Sequence, residues 1–138
     1  MGLSLARATE PRGASQALSD LIQSVSVALI TTVDSTGIMH TRQLPNTNSE
    51  CCDELWFLSS QDAPLMDEIR RNPKVLITYV HRSTGKYLVV NGEAFVRPDA
   101  ARARQLWHPM LASWLPGGPD DPMLAVLHVS VKSVEVWD

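Results

Sequence analysis

Apolar residues repeat at helical spacing only briefly in this chain. Ala17, Leu18, Leu21, Ile22 and Val25 fall on one side of a 3.6-residue turn and predict a short amphipathic helix from Ser15. The pattern then becomes β-branched and uncharged: residues 25–33 read as a buried strand, and 38–44 return as a second one. Between them, Asp34-Ser35-Thr36-Gly37 reads as a hairpin turn with Gly37 in the left-handed position. A polar loop at 45–50 precedes a third strand at 54–59, and Asp62 is placed to cap a helix that has Pro64 in its first turn and stops at Asn72-Pro73. Strands at 75–80 and 86–96 follow, joined by Arg82-Ser83-Thr84-Gly85, and Pro98-Asp99 opens a helix over 100–106. The last apolar stretch, 124–137, is too long for a straight strand, and its pattern shifts at Lys132-Ser133, which predicts a bulge there. Six strands with inserted rather than alternating helices predict an antiparallel barrel, not a βαβ sheet. Residues 1–14 lack periodicity and read as a mobile tail, leaving 15–138 as one domain.

Composition narrows the function classes. At 138 residues the chain suits one domain able to bury a core without disulfides. A net charge of −3 gives no basic footprint for nucleic acid. No apolar run reaches the ~20 residues of a membrane span, and the first residues lack the apolar core of a secretory signal. The reading is a cytoplasmic protein. Cys51 and Cys52, the two cysteines, are adjacent; they suit neither a fold-spanning disulfide nor a zinc set and are expected to be reduced thiols in a loop. No metal site is expected. No GxSxG, HExxH or nucleophile–base pair is visible, so no catalytic residue is assigned.

Candidate binding chemistry concentrates near the C-terminal end. Leu106-Trp107-His108-Pro109 and the run Trp114-Leu115-Pro116-Gly117-Gly118-Pro119-Asp120-Asp121-Pro122 precede a strand ending at Trp137-Asp138, and together hold three of the four Trp and four of the nine Pro. So much indole beside so rigid a loop either closes a core or offers a platform to a flat ligand or partner.

Taken in order, several short motifs resemble the FMN-binding split-barrel superfamily of the pyridoxamine 5'-phosphate oxidases, within it the bacterial general stress protein branch. They are Ala28-Leu29-Ile30-Thr31-Thr32, Gly37 with His40-Thr41-Arg42, Leu55-Trp56-Phe57-Leu58, Glu68-Ile69 with Asn72-Pro73-Lys74-Val75, Val90-Asn91-Gly92-Glu93-Ala94, and the Trp-rich tail. The resemblance runs from about Leu18 to Asp138. It implies a mainly β, six-stranded antiparallel split barrel of Greek-key type with short flanking helices, a homodimer, and FMN in a cleft between the subunits. It also implies site residues. Arg42 would direct its guanidinium at the flavin phosphate, a role for which its planar fork is suited. Gln43 and Leu44 would flank the ribityl chain and ring. Phe57, Leu58, Ser59 and Ser60 would supply backbone groups and a hydroxyl to the ring edge. Trp107 and Trp114 of the other subunit would close the ring side. Read alone, Arg42 is equally a solvated strand charge, and Ser59 and Ser60 plain strand-end residues. His40 is given no role.

The chain departs from the family pattern at informative positions. Arg42-Gln43-Leu44 stands where relatives carry Arg-Pro-Met or similar. The phosphate-binding Ser-x-Lys at the start of the second helix becomes Ala63 and Leu65, which removes a hydroxyl and an ammonium worth roughly 1.5–3 kcal/mol per charged hydrogen bond. The segment with which genuine pyridoxamine phosphate oxidases grip substrate phosphate has no counterpart after Trp137-Asp138. The resemblance therefore implies a flavin-holding stress-type protein with slow redox activity at most. The alternatives are an FMN- or deazaflavin-dependent oxidoreductase and a cofactor-free dimeric interaction module.

Overall fold

A computed structural model describes residues 5–7, 12–50 and 53–137. Cys51 and Cys52, and most of the expected tail, lie outside the described residues. The elements in chain order are β1 (Leu5–Arg7), α1 (Arg12–Gln23), β2 (Val27–Val33), β3 (Met39–Pro45), β4 (Glu54–Ser60), α2 (Pro64–Arg71), β5 (Lys74–Val80), β6 (Tyr87–Arg97), α3 (Ala100–Leu106), a 3-10 turn (Pro109–Ser113) and β7 (Leu124–Trp137). The six longer strands form the antiparallel split barrel, with three helices around it. Two differences from the sequence reading fall at the start. Leu5–Arg7 is a short strand paired with the end of β7, and α1 begins three residues before Ser15. Neither shows in the pattern, because a three-residue strand is too short to display a period.

The hydrogen-bonded path runs β1-β7-β6-β5-β2-β3, and β4 returns to pair with β7. Strand β7 organises this arrangement. One of its edges takes β6 along its length, while the other takes β4 over 124–130 and β1 over 135–137. Its bulge lies where the pattern shift placed it: Asn91 pairs with Ser133 and Gly92 with Val131, so Lys132 is the extra residue. Gly92 is required opposite this bulge, since a Cβ there would lie 2.5 Å from the Ser130 carbonyl oxygen and 2.9 Å from Val129 Cγ1.

Alternation along the strands sends Ala28, Ile30, Leu55, Phe57, Ile77, Leu88, Val90, Leu127 and Val129 into one core, closed at its ends by Leu18 and Ile22 of α1 and by Leu65, Met66 and Ile69 of α2. A smaller core outside the barrel joins Leu58 and Val126 to Ala103 and Leu111. Strands β4 and β7 are thus buried on both faces, which explains their continuous apolar runs. The turns behave as read: Gly37 and Gly85 have φ of 89° and 75°, and Asp99 caps α3 by accepting from Arg102 N–H at 2.9 Å. Asp62 does not cap α2. The N-cap is Ala63, without a side-chain bond, and the Asp62 carboxylate instead accepts from Ser60 Oγ at 2.5 Å.

Candidate functional site

Among the described residues β3 pairs only with β2, and β4 only with β7. Between them is the split of the barrel. The β3–β4 loop holds it open by an asparagine clamp. Asn48 Oδ1 accepts from the Trp56 N–H at 2.7 Å, and Asn48 Nδ2 donates to the Trp56 carbonyl at 2.9 Å. Both main-chain groups of Trp56 therefore point away from β7. Because these directions alternate along a strand, the N–H and C=O of Leu58 face the same way, but Leu58 is only 1% exposed as a whole residue, so its main chain is enclosed. Asn46 anchors the same loop by donating to the carbonyls of Ile22 and Val25 at 2.9 and 2.7 Å and accepting from Tyr79 Oη at 3.3 Å.

On β3 the inward face carries His40, Arg42 and Leu44, opposite Thr32, Ile30 and Ala28 of β2, and Gln43 points outward. Arg42 reaches α2, where its fork grips Glu68: Nη1 donates to Oε1 at 2.6 Å and Nη2 to Oε2 at 3.1 Å. Thr32 Oγ1 donates to the same Oε1 at 2.6 Å. The Glu68 side chain is 12% exposed and that of Arg42 29%. The Arg42 hydrogen bonds lower the Glu68 pKa to about 2, against partial burial that would raise it, and the pair raises the Arg42 pKa in turn. His40 pairs with Asp34 at 2.8 Å. That carboxylate also accepts from Thr36 and Ile38, and these bonds, led by the one from the Thr36 hydroxyl, hold it well below the usual carboxylate range.

The expected site residues occupy three places in one chain. Arg42 and the 57–60 segment lie on the two strands that flank the split, and Phe57 and Leu58 are enclosed as whole residues. Ser59 is buried, and Ser60 gives its hydroxyl to Asp62. Leu44 is buried in the core. Gln43 lines a 630 Å³ cleft on the outer sheet face with Leu29, Thr78, Val80, His81 and Arg82. Trp107 and Trp114 line a 530 Å³ cavity with Pro45, Asn46 and Met110, and Trp114 is 41% exposed. Both hollows share residues 24–27. Of the two phosphate-site departures, Ala63 sits at the helix N-cap and Leu65, 3% exposed, belongs to the core.

Several residues at the split escaped the sequence reading. Glu68 stood in a quoted motif without a role, yet it follows Leu65 by three and precedes Ile69 on the buried face of α2, where an acid needs a partner. Asn46 and Asn48 passed as ordinary loop polarity. Trp56 stacks on His128 with ring centroids 4.1 Å apart, and the Arg102 guanidinium lies 4.1 Å from the Trp56 ring centre. No periodicity links these three. Among the described residues no group of three or more His, Cys, Asp or Glu could hold a metal ion, and no helix is long and apolar enough to cross a membrane.

Fold and split together define a class: an antiparallel split barrel of six long strands with short helices around it. The sequence profile of the pyridoxamine 5'-phosphate oxidase-like family matches residues 13–138, and the chain belongs to that family. It is 28% identical over 125 residues to Protein bli-3 of Neurospora crassa, covering 83% of this chain and spanning 59% of that relative. A Clostridium acetobutylicum protein related to general stress protein 26 superposes with a TM-score of 0.77 at 16% identity, over 88% of this chain and 85% of the other. A FAD-binding protein of Mesorhizobium loti superposes at 0.73 and 16% identity, over 99% and 98%.

Proposed function

We propose that this chain is a cytoplasmic flavin-holding protein of the general stress type, which binds the ring of a flavin in a cleft between two copies of itself. The observation that carries this reading is the 530 Å³ cavity lined by Trp107 and Trp114, where an indole 41% exposed offers a platform to a flat ring. Family membership and a FAD-binding relative of the same fold support the ligand class.

The residues fit the ring better than they fit a phosphate. Of the 57–60 segment, Phe57 and Leu58 are enclosed, and Ser60, the partly exposed residue at the end of the strand beside Ser59, would meet the ring edge. Gln43 and Leu44 would flank the tail. Trp107 and Trp114, offered by the second copy, would cover the ring and exclude water. A bound flavin supplies electron and hydride transfer; the protein contributes position and electrostatics. No side chain is assigned a catalytic role.

Dimerisation is part of the reading. The outer face of β2, β3 and β5 presents Val27, Leu29 and Leu76 half-buried, with Met39 and Val80 at 66% and 43% exposure. Apolar surface of that extent on so small a protein calls for a partner. Visible absorption of the purified protein, ligand extraction and light scattering test the proposal. A yellow dimer that releases a flavin on denaturation is the expected result. A colourless protein that binds neither riboflavin nor FMN would refute it.

A further inference from the structure

We infer that the site takes a flavin without a terminal phosphate, of the riboflavin class, because Glu68 already holds the place and the charge that a phosphate would take at Arg42. This rests on the flavin reading above and sharpens it. A carboxylate and a phosphate use the same guanidinium fork. Here both Nη atoms are engaged, at 2.6 and 3.1 Å, and Thr32 closes a third bond on the same carboxylate. An incoming dianion would have to detach Glu68, leaving a largely buried carboxylate unpaired beside it, which is among the costliest arrangements a protein interior can hold. The Glu68 pKa of about 2 means the acid stays ionised at any physiological pH, so protonation does not clear the fork.

Among the described residues, the start of α2 offers no second anion cradle. Ala63 gives its N–H to the Ser60 carbonyl at 3.0 Å, and Pro64 has none to give. Asp62, just before the N-cap, and Asp67, in the first turn, add negative charge at this end of α2, and Leu65 is buried where an ammonium would be needed. Arg70 is turned to Gln61 Oε1 at 3.1 Å and to Asp67 at 3.5 Å. The same helix end that would hold a phosphate is therefore neutralised by the chain itself. The cavity of Trp107 and Trp114 shares no residue with this cluster, so recognition of the heterocycle and rejection of the charged tail are separable.

The test titrates riboflavin and FMN into the purified full chain, stripped of any resident flavin, and follows quenching of flavin fluorescence. The wild-type protein is expected to bind the two within about threefold of each other, or riboflavin the tighter. Freeing the fork with Glu68→Gln is expected to tighten FMN by about tenfold or more while riboflavin stays within about threefold. FMN binding tenfold or more above riboflavin in the wild type overturns the inference without any variant, so it remains testable if Glu68→Gln folds poorly. A folded Glu68→Gln that still binds riboflavin but gains nothing for FMN also overturns it. Failure of the wild type to bind either flavin defeats the flavin reading itself, a result distinct from the other two.

Discussion

Glu68 should set the acid stability of this protein, and the effect follows from its three short contacts. In the unfolded chain its carboxyl titrates near the ordinary 4.5; in the folded protein it titrates at about 2, chiefly through the Arg42 hydrogen bonds. A depressed folded pKa stabilises the protein fully above the unfolded value, and that contribution drains away as pH falls from about 4.5 through about 2. The shift corresponds to about 3 kcal/mol, reduced to about 2 kcal/mol by solvent reaching the part-exposed Arg42 end. Glu68→Gln approximates the protonated acid at every pH. Urea unfolding of both proteins at fixed concentration should therefore show a gap of about 2 kcal/mol at pH 7, a midpoint difference on the order of 1 M. The gap should narrow once pH falls below about 4.5 and close as it falls through about 2. A difference that stays constant from pH 7 to pH 3, or one below about 0.5 kcal/mol at neutrality, would show that the pair is a solvated surface contact.

Three further substitutions probe the frame that holds the split. Gly92→Ala should cost about 1–3 kcal/mol through its contact with the Ser130 carbonyl, read as a drop in thermal midpoint, and no loss would mean the bulge has room to give. Asn46→Ala strips partners from two carbonyls and from Tyr79 Oη and should lower stability by about 2–3 kcal/mol in denaturant titration; a change near zero would mean water replaces the amide without penalty. Leu65→Lys, which restores the family's cation in sequence, should destabilise by several kcal/mol because it drives an ammonium into the core. An equally stable variant with improved FMN affinity would show that α2 can shift to place the cation at the split.

Much of the fold was legible because its signals are local. Alternation, turn glycines and the Asp99 cap each depend on neighbours within a few residues, and even the bulge at Lys132 left a visible shift of pattern. What escaped depends on contacts across the chain. Asp62 reads as a cap by residue type, but Ser60 draws its carboxylate away. Glu68 and Arg42 are 26 residues apart, and Asn48 and Trp56 are joined by loop geometry with no linear signature. The departures Ala63 and Leu65 were visible as letters. Their consequence was not, because only the packing of α2 shows that the apolar replacements come with an internal carboxylate.

These substitutions at one helix end make physical sense as a set. Without Glu68, Arg42 would stand partly buried with no anion whenever the site is empty, and a lone cation of that kind is expensive. Glu68 supplies the missing charge from within the same helix, at a position three residues past the buried Leu65, so a single turn of α2 both seals the core and neutralises the strand arginine. The arginine then ties α2 to β3, with Thr32 of β2 closing a third bond on the same carboxylate, so the residue that resembles a phosphate ligand serves as a structural bracket.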